Sequence, residues 1–153
     1  MGPAGRLRLV GHAAETSSAD YHVMGMKVHV PESGGEGRVL VDDSGVPVPT
    51  YLIRDDGVRA FLEEGMNGPP RLVLELLRRH GVDPARVAMI THQASRGLLA
   101  HWADAVRPGQ HLDTFQELGN MGLASVPVTL ARRAHEITAD YIVLVSRGPG
   151  PNA

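Results

Sequence analysis

At 153 residues, with 42% hydrophobic and 21% charged side chains, the chain has the apolar content for one sizeable core and is expected to be a soluble globular protein. A formal net charge of −2, with Lys and Arg scattered among Asp and Glu, provides no broad basic surface, which excludes nucleic acid and anionic lipid as expected partners. Cys is absent, which removes disulfides, thiolate metal ligands and any thiol nucleophile from this sequence.

In chain order, the start lacks the apolar centre of a secretory signal, and no apolar run reaches the ~20 residues of a membrane span. A cytoplasmic protein without membrane contact is expected. The alternation Arg6 to Gly11 predicts a strand. Ser17 to Tyr21 and Pro31 to Gly37 read as irregular, and Gly and Pro concentrate up to Pro49, with Val39 to Val41 as one short strand in a surface excursion or flap. His12, His22 and His29 lie in this region without the i, i+4 spacing of a helical ligand pair, so no metal site is expected.

From Tyr51 to Arg79, apolar positions at Val58, Phe61, Leu62, Leu72, Val73, Leu76 and Leu77 recur at helical spacing, interrupted by Gly68-Pro69-Pro70; two helices or one broken helix are predicted. Gly81-Val82-Asp83-Pro84 ends that helix, and Val87 to Thr91 reads as a buried strand. A helix from about Ser95 to Ala105 follows, then a strand from His111 to Phe115. Asn120 is expected to cap a helix running to about Glu136, in whose first turns Pro127 is tolerated. Tyr141 to Val145 is the final strand.

Two strand-to-helix turns stand out, Thr91-His92-Gln93-Ala94-Ser95 and Gly119-Asn120-Met121-Gly122-Leu123-Ala124-Ser125. Parallel strands joined through helices bring their carboxyl ends to one edge of the sheet, so His92 and Asn120 are candidates to face a common crevice. Read alone, each has a plainer role, His92 as a loop histidine bonded to backbone and Asn120 as a helix cap.

Both turns, in this order, resemble motifs of 3-oxoacyl-acyl-carrier-protein synthase III, a condensing enzyme of the thiolase superfamily. Ile90 to Ser95 is similar to that family's His-Gln-Ala-Asn turn, and Gly119 to Pro127 to its Gly-Asn-Thr-Ser-Ala-Ala-Ser-Val-Pro segment. The resemblance covers the last two thirds of the chain and matches the family's C-terminal half. It implies an α/β thiolase-like half-fold, a mixed β-sheet with helices packed on it, lacking the family's N-terminal half and final strand. Residues 1–50 then form a loop-rich N-terminal segment with short strands, 51–147 the C-terminal thiolase-like domain, and 148–153 a flexible tail. Pro149 replaces a glycine of the family's late turn and removes an N–H donor there.

In the family, a His and an Asn stabilise charge on a thioester oxygen during acyl transfer or decarboxylative Claisen condensation; the resemblance assigns these roles to His92 and Asn120 as two donors. With no Cys, the chain is not competent alone, and the nucleophile would come from a Cys-bearing first-half chain. Acyl-carrier protein or acyl-CoA would bring the phosphopantetheine thioester as substrate, with no other cofactor, and a homo-oligomer is a further expectation. The alternative is a non-catalytic half-domain, a degenerate remnant or an interaction module. Met121 and Leu123, near the implied acyl site, are read as packing residues, and Arg132 and Arg133 as a solvated helix face rather than contacts to phosphopantetheine or an acidic carrier.

Overall fold

The computed structural model describes residues 7–16, 24–27, 29–30, 38–39, 41–53, 58 and 61–147. The chain forms two compact units, Met1–Glu15 with Glu64–Arg147 and Thr16–Glu63 with Gly148–Ala153. In the second unit, β1 (Met24–Lys27) pairs antiparallel with β4 (Thr50–Ile53), and β2 (His29–Val30) with β3 (Arg38–Val39). Asp42 shapes the turn before β4, because its Oδ1 accepts the Ser44 and Val46 N–H groups at 2.8 and 3.0 Å.

Three expectations change here. Tyr51 to Ile53 belongs to a strand and not to the helical stretch, its β-branched and aromatic residues pairing with Met24–Met26. The strand expected at Val39 to Val41 is Arg38–Val39, followed by a bridge from Val41 to Pro47. Residues 7–11 form no strand: Leu7 and Leu9 are exposed, and none of the described strands pairs with them. The irregular segments at Ser17 to Tyr21 and Pro31 to Gly37 lie outside the described residues, as do His22 and the tail with Pro149.

The first unit follows the predicted helix–strand alternation. Its helices are α1 (Met66–Arg79), α2 (Arg96–Val106), a single turn α3 (Phe115–Leu118) and α4 (Ser125–Arg133); its strands are β5 (Val87–Thr91), β6 (Gln110–Leu112) and β7 (Tyr141–Val145). The sheet is parallel in the order β6-β5-β7. All five residues of central β5 are buried, as a parallel strand covered on both faces must be. Val73 and Leu77 of α1, Val87 and Met89 of β5, Leu98, Trp102 and Val106 of α2, and Val145 of β7 make one core. The gap among them leaves no room for a water molecule, so cohesion rests on close apolar packing.

Helix ends follow local chemistry. Gly81 (φ 63) ends α1 in a left-handed conformation, with Val82 N–H on Leu77 O and Gly81 N–H on Arg78 O, at 2.9 and 3.2 Å. The Ser95 hydroxyl caps α2 by accepting from Leu98 N at 3.2 Å. The strand expected through Phe115 stops at Leu112, because the Asp113 carboxylate takes the Phe115 N–H at 2.9 Å and turns the chain into α3.

Gly68-Pro69-Pro70 does not break the helix as the sequence suggests; both prolines lie inside α1, preceded by a π-type turn at Phe61–Gly65. Without N–H groups, Pro69 and Pro70 leave the carbonyls four residues earlier, Gly65 and Met66, without intrahelical donors. The buried Trp102 indole supplies them, donating from Nε1 to Gly65 O at 3.2 Å and Met66 O at 3.0 Å. A donor from another helix makes the double proline compatible with helix here.

His111, at the middle of β6, is largely buried, and its Nε2 makes no hydrogen bond. Burial lowers its pKa below the ordinary 6.5, with the nearby Asp113 carboxylate opposing in part. The unfolded chain therefore takes up a proton that the folded one resists.

Two measurements follow from these contacts. Trp102→Phe keeps the apolar ring but orphans two carbonyls, and urea denaturation is expected to show a loss of about 1–3 kcal/mol. The His111 contribution is fully favourable above about pH 6.5 and is lost as pH falls below it, so His111→Gln should flatten the decline in stability between about pH 7.5 and pH 5.5.

Candidate active site

The carboxyl ends of the three parallel strands gather the turns that carry both predicted residues. His92 directly follows β5, and its backbone N–H continues the sheet by donating to Val145 O of β7 at 2.8 Å. The ring is thereby aimed from the end of the central strand. Its Nδ1 lies 3.2 Å from the Gly122 carbonyl oxygen, and because that oxygen only accepts, Nδ1 carries the proton.

Asn120 sits in the connection from β6 to α4. Its Oδ1 accepts the Gly122 N–H at 2.9 Å, and Gly122 opens a 3-10 turn, Gly122–Ala124, before α4 begins at Ser125. The expected cap is thus displaced: Asn120 closes a tight turn ahead of the helix, and the helix ends at Arg133 with a further 3-10 turn to Glu136. Gly119 (φ 64) and Gly122 (φ 58) supply the positive φ values that bend this connection. His92 and Asn120 therefore meet on one residue, Gly122, His92 half-buried and Asn120 exposed.

Beneath this surface lies a polar cluster that sequence reasoning did not single out. The Gln93 side chain is fully buried, with Nε2 donating to Thr114 Oγ1 at 3.2 Å and to Thr129 Oγ1 at 3.3 Å. Its Oε1 accepts the Thr114 backbone N–H at 2.7 Å, and the two hydroxyls lie 2.9 Å apart. One amide thus joins the turn after β5, the start of α3 and the middle of α4. Gln93 stood in the His-Gln-Ala motif, and burial was the missing signal, because a glutamine in a turn reads as a surface residue.

The remaining candidates are placed differently. Leu123 is 73% exposed and does not serve as packing in this chain, whereas Met121 is half-buried. Arg132 pairs with Glu117 at 3.1 Å, and Arg133 with Glu117 and with Glu136, so this is an ion-pair cluster and not a merely solvated face. Among the described residues no three His, Asp or Glu side chains form a metal-binding group, and no helix is long and apolar enough to cross a membrane.

No protein-family model and no curated protein matches the chain. Its structure is similar to that of 3-oxoacyl-(acyl carrier protein) synthase III from Pseudomonas aeruginosa, with a TM-score of 0.62 and 19% identity over 89% of this chain. The match spans 39% of that protein's length. The chain thus has a thiolase-like half-fold, α/β with helices packed on a small parallel sheet, as the two motifs predicted.

Replacing Gln93 by Leu would leave the Thr114 N–H and two buried hydroxyls to rearrange without the amide. A loss of about 3 kcal/mol is expected by chemical denaturation, accompanied by movement of the His92 ring resonances.

Proposed function

We propose that this chain is a half-subunit of a ketosynthase III-like acyltransferase, contributing His92 and Asn120 to acyl transfer or decarboxylative condensation of acyl thioesters. One observation supports this reading above the rest: both side chains are hydrogen-bonded to a single residue, Gly122, at the carboxyl edge of a parallel sheet. Such reactions build negative charge on a thioester oxygen, and an aimed amide N–H from Asn120 binds that charge more tightly in the transition state than in the ground state. His92 brings a ring nitrogen to the same turn.

The acyl group must also meet a thiolate, and the sequence has no Cys. In this reading a Cys-bearing thiolase-like chain supplies it, and acyl-carrier protein or acyl-CoA delivers the phosphopantetheine thioester without a separate cofactor. Leu123 near the site and Leu144, 51% exposed on edge strand β7, fit an apolar contact with such a partner or with a second copy in a homo-oligomer. A cytoplasmic setting suits these substrates.

The missing thiol equally favours a second reading, a non-catalytic half-domain that uses the same apolar positions only to bind. Malonyl-acyl-carrier-protein decarboxylation by the chain assembled with its Cys-bearing partner separates the two. His92→Ala and Asn120→Ala should each lower the rate by about 10²–10³-fold while the complex stays intact. A rate unmoved by both would leave only the binding role.

A further inference from the structure

Residues 7–16 run without a helix, strand, turn or bend, and residues 7–10 are all exposed, Leu9 at 75%. The stretch up to Glu15 is nonetheless anchored within the first unit. Glu15 accepts Arg71 Nη2 with both carboxylate oxygens, each at 2.9 Å, and the Gly11 backbone lies so close to His80 that a Cβ there would overlap the imidazole. Gly11 to Glu15 as extended chain and Arg71 to His80 as helix each span about 13 Å, so the anchored part lies along α1 and residues 7–10 emerge from a fixed root. With Arg8 between Leu7 and Leu9, those residues have a strand's alternation without a strand's partner.

The parallel sheet has an edge of the matching kind. β7 is bonded to β5 along one side, and no described strand pairs with its other side. Tyr141, Val143 and Val145 pack on the apolar core, so by alternation Ile142 and Leu144 occupy the opposite face, where Leu144 is 51% exposed. Along its five residues β7 carries no charge, no proline and no bulge, the devices that keep an edge from pairing. The other edge, β6, is three residues long and half-buried throughout.

We propose that residues 7–10 of one copy add as a strand to the free edge of β7 in a second copy, and that the exchange is mutual. Leu7 and Leu9 then lie on the face of Ile142 and Leu144, and ladder hydrogen bonds satisfy both backbones. Within one copy the two elements share a unit and yet stay unpaired, the root being held on α1. Because every chain carries both donor and acceptor, a twofold pair forms the contact twice and leaves neither β7 edge open to a third copy. The anchored root lowers the ordering cost of binding. Arg8 on the donor and Asp140 at the head of β7, its side chain 60% exposed beside Arg86, are of opposite sign and favour the encounter. This interface goes beyond the acyltransferase reading and does not depend on it.

Sedimentation velocity of the full chain should show monomer and dimer exchanging with concentration. Leu9→Asp and Leu144→Lys alter exposed side chains, so the circular dichroism should match that of the unaltered chain while the dimer's dissociation constant rises about tenfold or more in each. Leu144→Thr, which keeps strand propensity, takes the place of Leu144→Lys if Lys disturbs the sheet. Mixing the donor variant with the acceptor variant is the decisive step. In their heterodimer one of the two contacts keeps both leucines, whereas each variant alone has none intact, so mixing should bring the dimer back. A chain that is monomeric at every concentration, a dimer indifferent to Leu9→Asp, or variants that stay apart on mixing overturns the proposal. A monomer whose melting temperature falls with Leu9→Asp overturns it too, because residues 7–10 would then pair within their own copy.

Discussion

The buried Gln93 amide is the constraint on which the carboxyl edge of the sheet depends. It lies where the central strand gives way to the turn before α2, and it reaches the two segments that follow β6. Its two N–H donors and its oxygen are all satisfied by Thr114 and Thr129, so burying it exacts little of the desolvation cost of an unpaired amide. Because hydrogen bonds have direction, this cluster holds three chain segments in one arrangement where apolar contacts alone would tolerate several. His92 is the residue immediately before it, and the bond from His92 N–H to Val145 O ties the same turn to the third strand.

Trp102 plays the corresponding part between α1 and α2. Its ring fills the core while its single N–H serves two carbonyls that prolines have released, so packing and polar satisfaction come from one side chain. The first unit thus has an apolar interior framed by two polar ties, one between helices and one at the strand ends. Thr91 Oγ1 and Ser125 Oγ are buried without a protein partner, and both border the turns that carry His92 and Asn120.

The surface has a different character. Arg132 and Arg133, basic and close to the site in sequence, are drawn into pairs with Glu117 and Glu136 and leave little positive charge directed outward. Exposed pairs of this kind contribute little to stability, but they decide which groups are left for a partner. What remains near the turn is apolar, Leu123 above all, with Leu144 exposed on the β7 edge.

Much of this was legible in the sequence because it is governed locally. Periodicity placed β5, α2 and β7 to within a residue or so, Gly81 and Pro84 marked the end of α1, and the order of the two turns pointed to the half-fold that the structure has. Where sequence reasoning failed on the helices and on β4, the deciding partner lay far along the chain: Trp102 for the Pro69-Pro70 helix and Met24–Lys27 for the strand at Tyr51. The residue types of the candidate site, and the absence of a thiol, were fixed by the sequence itself. Which ring nitrogen of His92 holds the proton, which end of Asn120 is free, and that both meet at Gly122 were decided only in three dimensions, because a hydrogen bond depends on where a distant carbonyl and N–H come to lie.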